Sequence, residues 1–423
     1  MNSMGRRKFL LQSASAVSLP AVLADGLETV PAHPVRTRDD ETDVLVVGGG
    51  TAGTIAAIQA ARAGAATMLI EKGSQLGGTT TTAGVSFPGL FHAWGRQVIS
   101  GIGWDLVRRT VELDHGSLPD FSKPYGKEHW RHQVRINGPL YAVLAEEACL
   151  QAGVRLCFYE FPLQIKPAQQ GWNVEIVGKG TRRTVRCRQV IDCSGGADIT
   201  AMAGFARLRE KETQPGTLIF RLSGYDYEKL DKEIIEKKYL QAMADGALYE
   251  GDCQFPQGPF MGFLAKGGEN GQHVYHADSS TAQTQTEANI KGRQSLLRLL
   301  KFVKTLPGCE QTKLDFMAVE TGVRETFRIV GNYQISQDDY VSGRVFTDSL
   351  CYSFYPIDIH DRAGVKPKQL AAGVVPTVPL AALIPLNSTN LLVAGRSVSS
   401  DRLANSALRV QASCMAMGQA AGA

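Results

Sequence analysis

Three glycines at a fixed spacing carry the first chemistry that this sequence can do. Gly48, Gly50 and Gly53 form a G-x-G-x-x-G turn directly after the apolar run Val44-Leu45-Val46-Val47. The Ala-rich stretch behind them continues to Met68-Leu69-Ile70-Glu71-Lys72. The succession reads as strand, turn, helix and a second strand ending on an acid. Gly48 permits the sharp turn, Gly50 lets a pyrophosphate approach the backbone, and Gly53 allows helix and strand to pack closely. Unpaired N–H groups at the helix N-terminus favour the phosphates. Glu71 lies about 20 residues downstream, where a carboxylate can hydrogen-bond the ribose hydroxyls of an adenosine. Together these residues predict a site for an ADP-containing dinucleotide.

Other elements must hold that turn against the rest of a ligand. Gly77-Gly78 precede four threonines, Thr79 to Thr82, and then Ala83-Gly84. Such a loop would wind past a flat ligand and offer it hydroxyls and N–H groups. No cysteine pair follows the two glycines, which argues against a dithiol–disulfide relay there. Helical apolar spacing is expected over Asp105–Leu113, and Asn137-Gly138-Pro139 opens a helix over Leu140–Ala152. Val154–Tyr159 reads as a strand. Trp172–Val177 and Thr184–Arg188 read as a hairpin about Gly178-Lys179-Gly180, with a separate buried strand from Val190 into the Ser194-Gly195-Gly196 turn. From about 205 the pattern changes, with a strand over 216–222 and helices over Tyr227–Met243 and Thr281–Leu306. The chain then returns to its first theme. Leu391-Leu392-Val393-Ala394-Gly395-Arg396 is a strand into a turn, and one small-residue helix is expected from Ala407 to Gly422.

The fold class predicted is α/β: a Rossmann-like domain with a parallel sheet and a β-meander, carrying an inserted α+β domain. The expected organisation is a signal peptide over 1–24, a solvated linker over 25–42, and the first part of the cofactor domain over 43–204. A substrate domain over 205–375 and the C-terminal part of the cofactor domain over 376–423 complete it.

Composition narrows the class of partner. The 423 residues carry a net charge of +4, of which Arg6, Arg7 and Lys8 supply three, leaving 42 basic against 41 acidic side chains. Nothing there suggests nucleic acid. Gly5-Arg6-Arg7-Lys8-Phe9-Leu10-Leu11, a mildly apolar stretch and Val22-Leu23-Ala24 follow the order of a twin-arginine export signal, so a periplasmic or otherwise exported location is expected. Its apolar run is too short to span a bilayer. The charged run Asp39-Asp40-Glu41 fits the solvated linker. The eight cysteines include no C-x-x-C pair, and no His/Cys spacing suggests a metal. Cys149, Cys157, Cys187 and Cys193 read as core residues.

Three blocks in order, Gly77–Gly84, Gly322–Gly331 and Gly395–Gly422, resemble the FAD-dependent oxidoreductases of the glutathione-reductase structural superfamily. The resemblance covers roughly residues 43–423. Phe327 departs from it, standing where the middle block usually has a second arginine. The resemblance implies FAD rather than NAD, with adenosine on Gly48–Gly53 and Glu71 and the isoalloxazine between the threonine loop and the last helix. It assigns cofactor contacts to Gly48, Gly50, Ala52, Gly53, Glu71, Lys72, Gly78, Thr79, Thr82, Ser194, Gly395, Arg396 and Arg409. A cation at Arg409 would stabilise negative charge on the reduced ring; a surface ion pair is the other reading.

Hydride transfer to a flavin needs a substrate C–H over the ring and a base for the departing proton. His92 and His360 are the candidate bases, and each could instead be a structural histidine. Arg324 and Arg328 could clamp an acidic or carbonyl oxygen or pair with nearby acids, and Asp358 could orient His360 or cap a turn. The function expected is hydride transfer between a small organic substrate and flavin N5, with reoxidation by a quinone, a redox protein or dioxygen. A plain NAD-dependent dehydrogenase and a degenerate flavin-binding module without catalysis are the alternatives.

Overall fold

The computed structural model describes residues 35–123, 128–254, 256, 258–362, 364–365 and 367–423. The expected export signal over 1–24 and the first part of the expected linker lie outside the described residues.

Strand β1 (Arg36–Val47), helix α1 (Thr51–Arg62) and strand β2 (Thr67–Glu71) make the predicted β-α-β unit. The two strands are parallel, in register from Val44 opposite Thr67 to Val47 opposite Ile70. Helix α2 (Ile102–Leu113) and helix α3 (Gly138–Gln151) pack over them. Asn137 starts α3 by accepting the Leu140 N–H at 3.2 Å, with Pro139 in the first turn. Strand β3 (Arg155–Phe158) adds outside β2, and β4 (Glu160–Pro167), β5 (Trp172–Gly178) and β6 (Thr181–Asp192) form the meander.

Two expectations need correction here. The hairpin strand over Thr184–Arg188 and the buried strand from Val190 are one 12-residue strand, β6. Its first half alternates buried and exposed side chains against β5, while Val190, Ile191 and Asp192 are buried in succession, so one strand serves a half-exposed meander and a doubly covered parallel core. Nor is all of 25–42 a linker. β1 begins at Arg36 and pairs with β6 along its whole length, from Arg36 opposite Thr181 to Val47 opposite Asp192. The acidic run is held across strands: Asp40 accepts from Arg183 at 2.9 Å and Arg155 at 3.1 Å, and Glu41 pairs with Arg186 at 3.1 Å.

The inserted segment contributes β7 (Phe220–Ser223), α4 (Lys232–Ala244), β8 (Gly268–Glu269), α5 (Ala282–Val303) and β9 (Lys313–Met317). The strands form an antiparallel sheet in the order β8-β7-β9. Its own core includes Phe220, Ile235, Tyr239, Phe260 and Leu299. Ile335, Tyr340, Ile357 and Leu370 instead join the cofactor-domain core with Val46 and Ile55, so the insertion's separate core ends well before residue 375. Helix α4 starts later than Tyr227 because Asp231 caps it, accepting the Ile234 N–H at 3.1 Å.

Strand β10 (Leu391–Val393) returns to the first sheet, parallel to the last residues of β6. The seven strands then run β3-β2-β1-β6-β5-β4, with β10 beside the inner half of β6. The single helix expected over 407–422 is two helices, α6 (Arg402–Leu408) and α7 (Gln411–Ala421). Val410 between them is extended, with ψ 142°. Helix α7 lies against α1 so closely that a Cβ on Gly418 would overlap the Ala52 carbonyl oxygen. Gly418→Ala is therefore expected to lower stability by about 1–3 kcal/mol through overpacking. A urea midpoint equal to wild type would refute the close seam between the chain's two ends. Among the described residues no helix is long and apolar enough to cross a membrane.

Candidate active site

The carboxyl ends of β1, β2, β6 and β10 meet at one edge of the parallel sheet, the edge where open α/β sheets place their ligands. Gly48 turns there at φ +97°, and a Cβ on it would lie 2.5 Å from the Cys193 carbonyl oxygen. A Cβ on Gly53 would overlap the Gly48 carbonyl oxygen. Gly50 differs from both. It has ordinary extended backbone, no heavy atom lies within 4 Å of where its Cβ would stand, and it opens α1 without a side-chain cap. Of the three motif glycines it is thus the one whose missing side chain the protein does not itself fill, and it stands at the N-terminal turn of α1, where a helix has amides to offer. That cradle fits a pyrophosphate.

The neighbouring predicted residues converge on it. Both Glu71 oxygens accept backbone amides at 2.7 Å, from Gly49 and Gly73, which fixes the carboxylate and leaves each oxygen a second lone pair for a ribose hydroxyl. Gly78 approaches Gly50 so that a Cβ there would be 2.9 Å from the Gly50 Cα, and Ala52 sits 3.2 Å from where a Gly395 Cβ would be. Ser194 Oγ donates to Asp192 at 2.7 Å and accepts the Asp198 N–H at 2.9 Å, shaping the turn after β6. Arg396 spends its guanidinium on protein carbonyls and a hydroxyl: Gly195 O at 2.5 Å, Val323 O, and Ser279 Oγ at 3.2 Å. It clamps the Gly395 turn to the turn after β6 and to the end of the insertion. Lys72 is exposed and reaches Gln285 at 3.3 Å.

The threonine loop leads away from this cradle. The Thr79 carbonyl accepts from the Val85 amide at 3.0 Å, and the Thr82 carbonyl accepts from the Val319 amide at 3.1 Å. Thr80 Oγ1 donates to Gln411 Oε1 at 2.5 Å, while Gln411 Nε2 donates to Val85 O at 2.9 Å. The loop is thereby tied to the first residue of α7. From Gln411 to Gly418, where α7 touches α1, the helix rises about 10 Å.

Beyond the start of α7 lies a buried polar cluster. His360 Nε2 is 3.3 Å from Asp358 Oδ2 and its Nδ1 is 3.0 Å from His273 Nε2. Arg409 lies 3.7 Å from the Asp358 carboxylate and donates to its carbonyl at 3.3 Å and to Gln214 Oε1 at 3.4 Å. Gln214 Oε1 also accepts the His360 backbone N–H at 3.0 Å. Arg324 donates to Pro215 O at 2.6 Å and Thr217 Oγ1 at 2.9 Å. Burial, with Arg409 beside it, pushes the Arg324 guanidinium down to about 9. Burial likewise lowers His360 to about 3 and His273 to about 2, and the charge of Arg324 adds to both shifts. Burial alone would raise Asp358, but the His360 hydrogen bond and the two guanidinium groups outweigh it and hold the carboxyl at about 2. At neutral pH the cluster therefore holds two neutral imidazoles, one carboxylate and two cations.

The structure brings His360, Arg324, Arg409 and Asp358 together. His92 is elsewhere. Its ring stacks on Phe121 at 3.7 Å between centroids and meets Trp104 edge-on at 5.2 Å. That aromatic packing supports the structural reading. Burial, then the nearby His132, lowers His92 from the ordinary 6.5 to about 4. Its neutral packing thus contributes stability in full above pH 6.5 and loses it as pH falls toward 4. His92→Gln should flatten the loss of stability over that window, measured by urea unfolding; an unchanged slope would contradict the assignment. Arg328 is also outside the cluster, donating to Ser400 O at 2.9 Å and to both oxygens of Glu210 at 2.7 Å. The Phe327 ring packs against two guanidinium groups, with its centroid 4.0 Å from Arg207 and 4.7 Å from Arg209. Sequence reasoning missed His273 and Gln214. The one signal for His273 was its place beside the glycines 267, 268 and 271, the kind of loop on which site residues sit, and Gln214, next to Pro215-Gly216, had only a turn signal of its own.

The family model for FAD dependent oxidoreductase matches residues 43–423. The mitochondrial dihydrolipoyl dehydrogenases of Sus scrofa and Homo sapiens are 46% and 43% identical over 65 residues, which is 15% of this chain. The chain spans 13% of the length of those relatives. A geranylgeranyl bacteriochlorophyll reductase-like protein from Thermoplasma acidophilum aligns over 91% of this chain and 77% of its own, at 15% identity and a TM-score of 0.41. Glycine oxidase from Geobacillus kaustophilus aligns over 43% of this chain and 63% of its own, at 16% identity and a TM-score of 0.30. With its family model matched from the first strand of the sheet to the last helix, the chain belongs to the FAD-dependent oxidoreductases, and FAD is its cofactor.

Proposed function

We propose that this protein moves a hydride between a small organic substrate and FAD, with the substrate seated against Gln214, His273, Arg324, Asp358, His360 and Arg409. The observation that carries the reading is the burial, in one place beside the threonine loop and the start of α7, of two neutral histidines, a carboxylate and two guanidinium groups. When bound, FAD supplies a carrier for two electrons as a hydride. The chain's own residues do the rest. The α1 amides and Gly50 would hold the pyrophosphate, Glu71 the ribose, and the threonine loop and Arg409 would serve the ring system. Arg324 and Arg409 together outnumber Asp358 in charge, so they would orient an acidic or carbonyl oxygen of the substrate. An imidazole of the pair accepts the proton of a hydroxyl or amine as the C–H bond is broken.

In this reading the protein is exported by the twin-arginine route, and its electrons leave to a quinone, a redox protein or dioxygen. Anaerobic mixing of the holoprotein with alcohols, sugars, amines and organic acids tests the proposal through the flavin absorbance. At least one class should bleach the bands, and substrates with an acidic group should lose most when Arg324 is replaced by Met. If dithionite bleaches the flavin and none of these classes does, the non-catalytic module is the better reading.

A further inference from the structure

The hydrogen bonds in the buried cluster have a direction, and it can be worked out from the chemistry of each partner. Asp358 is a carboxylate and can only accept, so the proton between it and His360 sits on His360 Nε2. A neutral imidazole carries one N–H. His360 Nδ1 is therefore a bare lone pair, and the 3.0 Å contact with His273 must be a donation from His273 Nε2–H. That leaves His273 Nδ1 without a proton. This atom is buried and has no hydrogen-bond partner among the described residues, in a residue only 2% exposed. A buried acceptor left unpaired costs free energy unless something else at the site donates to it.

Both rings are held in place by backbone. The His273 N–H donates to Gly251 O at 2.9 Å, and its neighbour Gln272 bridges Leu218 N and Gly292 O, each at 3.0 Å. His360 is fixed by Gln214 and Asp358. His360 thus has both ring nitrogens committed to the protein, whereas His273 has one free. The groups facing the pair are Arg324, Arg409 and Asp358.

We propose that Asp358, His360 and His273 form a one-way proton relay whose open end is His273 Nδ1, which makes His273 the residue that takes the proton of a substrate hydroxyl or amine. This rests on the reading of the cluster as the substrate site. In the oxidation of an alcohol, the substrate O–H proton goes to His273 Nδ1 and the C–H bond gives its hydride to FAD. The carbon–oxygen bond becomes a carbonyl, so the substrate loses two electrons and FAD gains them. The Nε2 proton of His273 passes to His360 Nδ1, and that of His360 Nε2 passes to Asp358. The proton ends on Asp358 and neutralises the carboxylate that faces Arg409 at 3.7 Å. His360 and Asp358 are positioning residues in this scheme, acting through His273.

Long-range proton–nitrogen correlation NMR on holoprotein labelled with 15N-histidine reads each tautomer without any substrate. His273→Gln and His360→Gln assign the two rings by loss of their signals. Both rings should be Nε2–H tautomers, with His273 Nδ1 in the range of a free lone pair. Asp358→Leu should remove the acceptor that fixes the proton on His360 Nε2, so the two rings should lose their single Nε2–H tautomer and populate the Nδ1–H form as well. A protonated Nδ1 on His273 in the wild type, or a His273 tautomer indifferent to Asp358→Leu, would overturn the relay. With a substrate found by the anaerobic screen, His273→Gln should keep its FAD and slow flavin reduction by about 10²–10⁴-fold. An undiminished rate would remove His273 as the proton acceptor. Failure of every substrate class in the screen counts against the proposed function, and the tautomers would still report the relay.

Discussion

Gly50→Val should yield a folded protein that purifies without FAD. Gly50 has φ −70° and ψ −169°, a conformation open to any residue, and its Cβ would meet nothing. The valine side chain therefore adds little strain to the apoprotein, and urea unfolding of the two apoproteins should agree within about 0.5 kcal/mol. The same side chain would occupy the space where a pyrophosphate approaches the helix amides. A clash of about 3 kcal/mol there weakens binding roughly a hundredfold. Flavin absorbance per chain and the urea midpoint check both halves. Full flavin content in the variant would show that the phosphates are not held at α1. The contrast with Gly53 sharpens the test, since a Cβ there would overlap the Gly48 carbonyl oxygen and damage folding itself.

Arg183→Met should cost about 3–5 kcal/mol of stability, the largest expected effect of any single change distant from the cofactor. Arg183 is 1% exposed and donates to Asp40 on β1 and Glu160 on β4. Replacing it leaves two carboxylates facing each other without their shared cation. The loss should be read from urea unfolding of the holoprotein, and it should shrink when Glu160→Gln is added. A variant as stable as wild type would mean that the acidic run of β1 is solvated after all.

That residue also marks where the sequence became hard to read. The dinucleotide turn, Glu71 and the helices around them were legible because their signals are local: glycine spacing, apolar periodicity and caps lie within a few residues of one another. Asp39-Asp40-Glu41 looked like a solvated run because nothing nearby in sequence pairs with it. The partners Arg183 and Arg186 come from β6, more than a hundred residues later. The same holds at the other end of the chain. Periodicity over 407–422 continues through Arg409 and Val410, but the structure breaks the helix there. Gln411 then turns to the threonine loop and Arg409 to Asp358. The break is set by contacts, not by any helix-stopping residue. Within the cluster, Arg324, Asp358, His360 and Arg409 could be singled out by type. Their meeting with His273 and Gln214 depends on how the insertion folds back over the sheet, and no spacing encodes it. His92 shows the reverse case, a histidine of suitable type and place in the sequence whose ring is taken up by Phe121 and Trp104.

The visible absorption spectrum of freshly purified protein tests most directly whether the two ends of the chain close around one cofactor. A yellow protein is expected, with one flavin per chain released on denaturation as FAD and bands that bleach with dithionite. A well-folded protein that is colourless, and stays so after incubation with FAD and gel filtration, would contradict the account.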